Sequence, residues 1–190
     1  NTNYLKRFSK LIFGLLLFAF GYYVSIQANI GLAPWSAFSA GLAQKLSTTY
    51  GVVTTVTAVV IMIIDILLKE HIGWGTVFDT LLVGAFVDMF THFNVIPLID
   101  NFAVSIVVLI IGSELTAIGS WFYISSALGA GPRDMLMVAV CKKLPKVPVG
   151  VIRCFIEGGA LLAGWLCGAK IGIGTVISVF GIGFLIQITF

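Results

Sequence analysis

Charge is what this sequence is shortest of: Asp, Glu, Lys and Arg make up 10% of its 190 residues, while 59% are hydrophobic. Soluble domains average about 25% charged residues. A mean hydropathy of +1.09 leaves no polar surface for water to solvate, which excludes a soluble globular domain. Histidine is almost as scarce. His71 and His92 fall at loop boundaries, with no H-E-x-x-H motif and no paired ligand spacing, so metal and hydrolytic chemistry find no support; no metal or other cofactor and no enzymatic activity are expected. The three cysteines, Cys141, Cys154 and Cys167, show no C-x-x-C spacing and read as small apolar filler. The net charge of +3 comes from basic clusters at helix ends and speaks to membrane orientation, not to a nucleic-acid partner. The glycines of Gly73-x-Gly75 and Gly172-x-Gly174 fall short of a phosphate-loop signature and fit close helix packing.

What the chain does have is a series of apolar runs approaching the roughly 20 residues that span a hydrocarbon core. The spacing predicts helices over about Leu11–Ile30, Val52–Leu68, Ile72–Phe90, Phe102–Ser126, Val147–Gly168 and Ile171–Phe190. The first, preceded by Lys6, Arg7 and Lys10, imitates a signal peptide. The pattern recurs at Leu109–Ser126, so it reads as a retained membrane helix.

Two elbows interrupt these runs. Gly129-Ala130-Gly131-Pro132-Arg133-Asp134 opens a short helix ending near Leu144, and Gly31-Leu32-Ala33-Pro34-Trp35-Ser36, 98 positions earlier, opens another ending at Leu46. Proline suits a first helical turn, where its missing N–H has no intrahelical partner to lose. Each short helix, about 13 residues or roughly 20 Å, falls short of the roughly 30 Å core and is expected to re-enter rather than cross. A helix start at that depth is tolerated only where protein or a wet cavity surrounds it.

The elbows belong to an internal repeat. Residue n on n+98 matches Leu11, Gly14, Ala19, Gly21, Gly31, Pro34 and Leu46 with identical partners, and n+99 aligns Ile72-Gly73-Trp74-Gly75-Thr76 with Ile171-Gly172-Ile173-Gly174-Thr175. The expected architecture is an all-α membrane protein of one membrane domain, with units 1–98 (elbow 31–46) and 99–190 (elbow 129–144). Each unit carries three crossings and one half-length helix. Three is odd, so the two units form an inverted repeat. A count of basic residues, seven inside against two outside, is met equally by a parallel arrangement. Equivalent ends separate the two: the first unit opens with Lys6, Arg7 and Lys10 and the second with Asp100, while after the elbows Lys45 stands alone against Lys142, Lys143 and Lys146. That bias reverses as inverted copies require, and it puts the N-terminus in the cytoplasm.

The segment Gly31–Gly41, the Gly-x-Gly-Pro-Arg-Asp elbow and the Ile-Gly-x-Gly-Thr segments resemble the YczE/YyaS/YitT group of uncharacterised bacterial membrane proteins, over nearly the whole chain. The resemblance implies a multi-span protein of the bacterial inner membrane and says little about substrate.

Ionisable residues inside apolar helices are functional candidates by default. Asp65 lies within a turn of Lys69 and reads as able to reach the interface. Asp79 and Asp88, nine residues apart, lie half a turn out of phase, so at least one is structural; Asp79, one turn past Gly75 and Thr76, is the better candidate for a site. Glu114 and Glu157 fall near mid-helix, and Arg153 precedes Glu157 by four, on one helix face. That pair reads either as a lock between helices or as part of a site. The repeat sets Arg133, Asp134, Glu114, Arg153 and Glu157 opposite Trp35, Ser36, Leu16, Thr54 and Ala58, which concentrates charge in the second unit. Trp35 and Tyr23 then supply an apolar wall, although Trp35 equally fits a headgroup anchor.

The expected function is secondary transport of a small polar solute bearing an anionic group. Arg133, Asp134, Trp35, Ser36, Glu114, Glu157, Arg153 and Tyr23 are the candidate binding residues, and Glu114 or Glu157 is the candidate proton carrier. A small-anion channel and a non-transporting accessory protein are the alternatives. The bilayer and the solute are the expected partners, and a homo-oligomer remains open.

Overall fold

A computed structural model describes residues 2–179. Its elements are α1 (Thr2–Gln27), α2 (Pro34–Leu46), α3 (Tyr50–Leu67), α4 (Trp74–His92), α5 (Phe102–Ile124), α6 (Pro132–Lys143) and α7 (Val149–Leu166), followed by a helical segment over residues 173–179, α8. No strand occurs among the described residues. The last helix expected from the sequence, Ile171–Phe190, lies partly outside them. Within Tyr4–Gln27, Tyr50–Leu67 and Phe102–Ile124 the chain is long and apolar enough to cross a membrane. Val52, Val56, Val60 and Ile63, at helical spacing along α3, are exposed, an apolar stripe suited to lipid.

Helix ends have local causes. α1 begins nine residues earlier than Leu11, because its basic turn is held by the end of α5: Arg7 donates from Nε to the Ser126 carbonyl at 2.8 Å and from Nη2 to that of Ala127 at 2.6 Å. It stops short of Asn29, which is left-handed at φ 55°. The Thr49 hydroxyl accepts from Val52 N at 3.2 Å and caps α3. Asn101 Oδ1 accepts from Ala103 N and Val104 N and caps α5.

The centre of the molecule is the crossing of α1 and α5, which run antiparallel and touch through glycines. An added Cβ on Gly14 would lie 2.5 Å from Tyr123 N and 3.0 Å from Gly119 O, and one on Gly119 would lie 2.5 Å from Phe18 N and 2.9 Å from Gly14 O. Gly21 and Gly112 form a second such contact one helical stretch away. Only glycine allows backbones this close. Beside the crossing, Leu11, Leu15 and Ala19 pack with Val83, Val87 and Tyr123.

The short helices, of 13 and 12 residues, both begin with proline after a glycine that L side chains rarely replace: Gly31 and Gly129 each have φ +128°. Each elbow is clasped by the opposite half of the chain. Gly75 N donates to Leu128 O at 2.8 Å, and Gly174 N donates to Ile30 O at 2.9 Å. Thr76 adds a bond from its hydroxyl to Ala130 O at 2.7 Å.

Candidate functional site

The first turns of α2 and α6 open onto one cavity of about 360 Å³. This lies at the lower end of the roughly 300–1,000 Å³ range of small-molecule sites. Ala33, Pro34 and Trp35 line it from one elbow, and Ala130 to Asp134 from the other. Neither helix start carries a side-chain cap, and both line this space, so the positive helix ends lie at its wall.

The lining pairs off across the repeat. Phe18 and Thr116, Tyr22 and Ser120, Pro34 and Pro132, Trp35 and Arg133 all line the cavity, and each pair is 98 positions apart. Thr54 and Arg153, Ala58 and Glu157, Asp79 and Ser178 do the same at a separation of 99. Trp35 and Arg133 also touch: the guanidinium carbon sits 5.0 Å from the ring centre, within the roughly 6 Å of a cation–π contact.

The charged groups differ in how far their bonding is already met. Arg153 donates from Nε to Glu157 Oε1 at 2.9 Å, and both line the cavity. Tyr123, 2% exposed, donates its hydroxyl to Asp134 Oδ2 at 3.2 Å. Arg133 makes no side-chain hydrogen bond and no ion pair among the described residues. Asp79 likewise has none and lies against the second elbow, where an added Cβ on Gly131 would come 3.1 Å from Asp79 Oδ2. No cluster of metal-ligating side chains occurs among the described residues.

Of the eight candidate binding residues, Arg133, Asp134, Trp35, Arg153 and Glu157 therefore meet in one cavity, where Asp79, the acidic residue preferred on α4, joins them. The other three lie elsewhere. Ser36 is buried beneath, accepting from the Tyr50 hydroxyl at 3.3 Å. Tyr23 is fully buried, with its hydroxyl donating to Ile96 O at 2.9 Å and accepting from Ile96 N at 3.0 Å; it pins the loop after α4. Glu114 is half-buried on α5 and does not line the cavity. Asp65 does not reach the surface as its distance from Lys69 suggests: it is 0% exposed, and neither carboxylate oxygen has a partner among the described residues. Asp88 accepts from Thr49 Oγ1 at 2.5 Å and from Gly51 N at 2.8 Å, a structural tie between α4 and α3.

Sequence reasoning passed over Tyr22, Thr116, Ser120 and Tyr123, all of which line the cavity. A signal was present: positions 116, 120 and 123 follow i, i+4, i+7, a polar stripe on one face of an otherwise apolar helix.

No solved structure matches this chain. Among curated proteins it is similar to an uncharacterized protein of Haemophilus influenzae, 29% identical over 96% of this chain and 82% of the relative. It is also similar to the uncharacterized membrane protein YczE of Bacillus subtilis, 30% identical over 92% of this chain and 80% of the relative. The uncharacterized protein YyaS of the same organism is 25% identical over 92% of this chain and 88% of the relative. These matches agree with the resemblance carried by the elbows, and the YczE name agrees with the apolar helices in pointing to a membrane protein. Residues 5–190 match a family of unknown function, DUF6198, and the chain belongs to that family.

Proposed function

We propose that this protein is a secondary transporter for a small solute bearing an anionic group, bound between the two elbow helices. The observation that carries the reading is Arg133. A guanidinium with no carboxylate partner among the described residues lines the cavity where two uncapped helix starts converge. A cation gains nothing from the positive end of its own helix, so a bound anion is the partner this position calls for. A planar guanidinium offers such an anion two parallel hydrogen bonds.

The architecture we propose is six crossings and two re-entrant helices, arranged as an inverted repeat of units 1–98 and 99–190. The chain then sits as a multi-pass protein in the bacterial inner membrane with a cytoplasmic N-terminus. Three observations support it. The equivalent helices α1 and α5 are antiparallel, the two elbow clasps are reciprocal, and the equivalent residues Trp35 and Arg133 touch, as residues on a two-fold axis do. Interrupted helices meeting at the interface of inverted repeats are a recurring transporter plan. Glu157, held by Arg153 at the cavity wall, is the carboxylate we assign to proton coupling; Glu114 lacks access to the cavity.

The test is uptake by purified protein in proteoliposomes, using radiolabelled small carboxylates with and without an imposed pH gradient. Saturable uptake that responds to the gradient and is lost in Arg133→Ala supports transport. Ion conductance without coupling indicates a pore, and neither uptake nor conductance for any carboxylate would remove the reading.

A further inference from the structure

The charges facing the cavity do not suit a plain anion. Arg153 and Glu157 satisfy each other at 2.9 Å. What remains is Arg133 beside two acidic side chains, Asp79 and Asp134, so acidic groups outnumber the uncommitted base among the described residues. A solute carrying only a carboxylate would add a third acidic group to this space and leave Asp79 without a partner. A solute that brings a cation together with its carboxylate serves Arg133 and gives the acidic side a counter-charge.

The rest of the wall is compatible with a cation. Tyr22 lines the cavity with the two acidic side chains, and aromatic rings attract ammonium groups. Asp134 already accepts one bond from Tyr123, which fixes its orientation, while Asp79 has both oxygens uncommitted among the described residues. Thr54 also lines the cavity, at 6% exposure, with a hydroxyl that has no partner among the described residues. A buried polar group without a partner is costly, and a bound polar solute would supply one.

From this distribution we infer that the solute is a zwitterion with its carboxylate and its ammonium a few bonds apart. The carboxylate is held by Arg133 and the first-turn N–H groups of the elbows. The ammonium is held by Asp79, with Asp134 and Tyr22 beside it. The inference rests on the transporter reading and narrows its substrate class.

The experiment is calorimetric titration of the purified full-length protein with matched sets of compounds. Each set contains a zwitterion, the carboxylate lacking its cation and the cation lacking its carboxylate. The sets are alanine, propionate and ethylamine; valine, isovalerate and isobutylamine; and glycine betaine, 3,3-dimethylbutanoate and tetramethylammonium. In at least one set the zwitterion is expected to bind tenfold or more tightly than either fragment. Asp79→Asn is expected to lower zwitterion affinity at least tenfold and to leave the matched carboxylate unchanged or tighter. A carboxylate that binds as well as its zwitterion, and loses binding in Arg133→Ala, overturns the zwitterion and leaves the anion-bearing transporter standing. No binding in any set, or binding indifferent to Arg133→Ala, overturns both. The wild-type comparison within each set decides even if Asp79→Asn fails to fold.

Discussion

Arg133 and Trp35 occupy the same position in the two halves of the chain, 98 residues apart, and they touch, with the guanidinium carbon 5.0 Å from the centre of the indole ring. One half thus supplies the charge and the other the surface that orients it. A cation–π contact contributes about 0.5–2 kcal/mol. Trp35→Ala should therefore weaken solute binding about 2- to 30-fold, and Trp35→Phe less. Titration of both variants checks this, and equal losses in the two would contradict a cation–π role, since Phe keeps an aromatic face.

The α1/α5 crossing depends on the absence of side chains. Gly21→Ala and Gly119→Ala should each destabilise the protein by about 1–3 kcal/mol through overpacking, because an added Cβ would lie 2.5 Å from Thr116 N or Phe18 N. Gly158→Ala is the control, since nothing among the described residues lies within 4 Å of a Cβ there. Thermal melts in detergent should rank the first two well below the third. Similar melting temperatures for all three would contradict the packing described.

Asp79 and Asp88 sit on one helix and should separate cleanly in function. Asp88→Ala removes the bonds to Thr49 and Gly51 at the start of α3 and should cost about 1 kcal/mol of stability, with solute affinity intact. Asp79→Asn should change affinity with little loss of stability. Melting and titration of each variant give the four values needed. The reverse pattern would place the site on the other face of α4.

Opposite orientation of the two units is tested by single cysteines at positions 48 and 147, in protein whose three native cysteines are replaced. These positions follow the two short helices, at equivalent places in the repeat. Impermeant thiol reagent should reach Thr48→Cys from outside and Val147→Cys from the cytoplasm. Labelling of both from one side would rule out an inverted repeat.

Much of this site was legible in the sequence because it is built from residues with narrow conformational or electrostatic roles. Gly31, Pro34, Gly129 and Pro132 mark elbows wherever they occur in apolar sequence, and an Arg beside them is too costly to be incidental. Arg153 and Glu157 announce their pairing by spacing. Helix phase was not legible. Tyr22 and Tyr23 are neighbours about 100° apart, and nothing local says which one turns to the cavity; the choice is made by the α1/α5 crossing and by the loop at Ile96 that captures the Tyr23 hydroxyl. Glu114 fails for the same reason, since depth along a helix does not fix direction around it. Asp65 shows the limit of judging burial by distance from a charged end: its side chain is directed inward, whatever the chain does at Lys69.

The central claim is that Arg133 holds the anionic group of the solute. Its most direct measurement is the affinity of purified Arg133→Lys for a solute that binds the wild-type protein, alongside the melting temperature of both. An ammonium keeps the charge and loses the paired, planar hydrogen bonds. The account predicts at least a tenfold weaker binding at a nearly unchanged melting temperature. Unchanged affinity at unchanged melting temperature would take Arg133 out of the site and contradict the account.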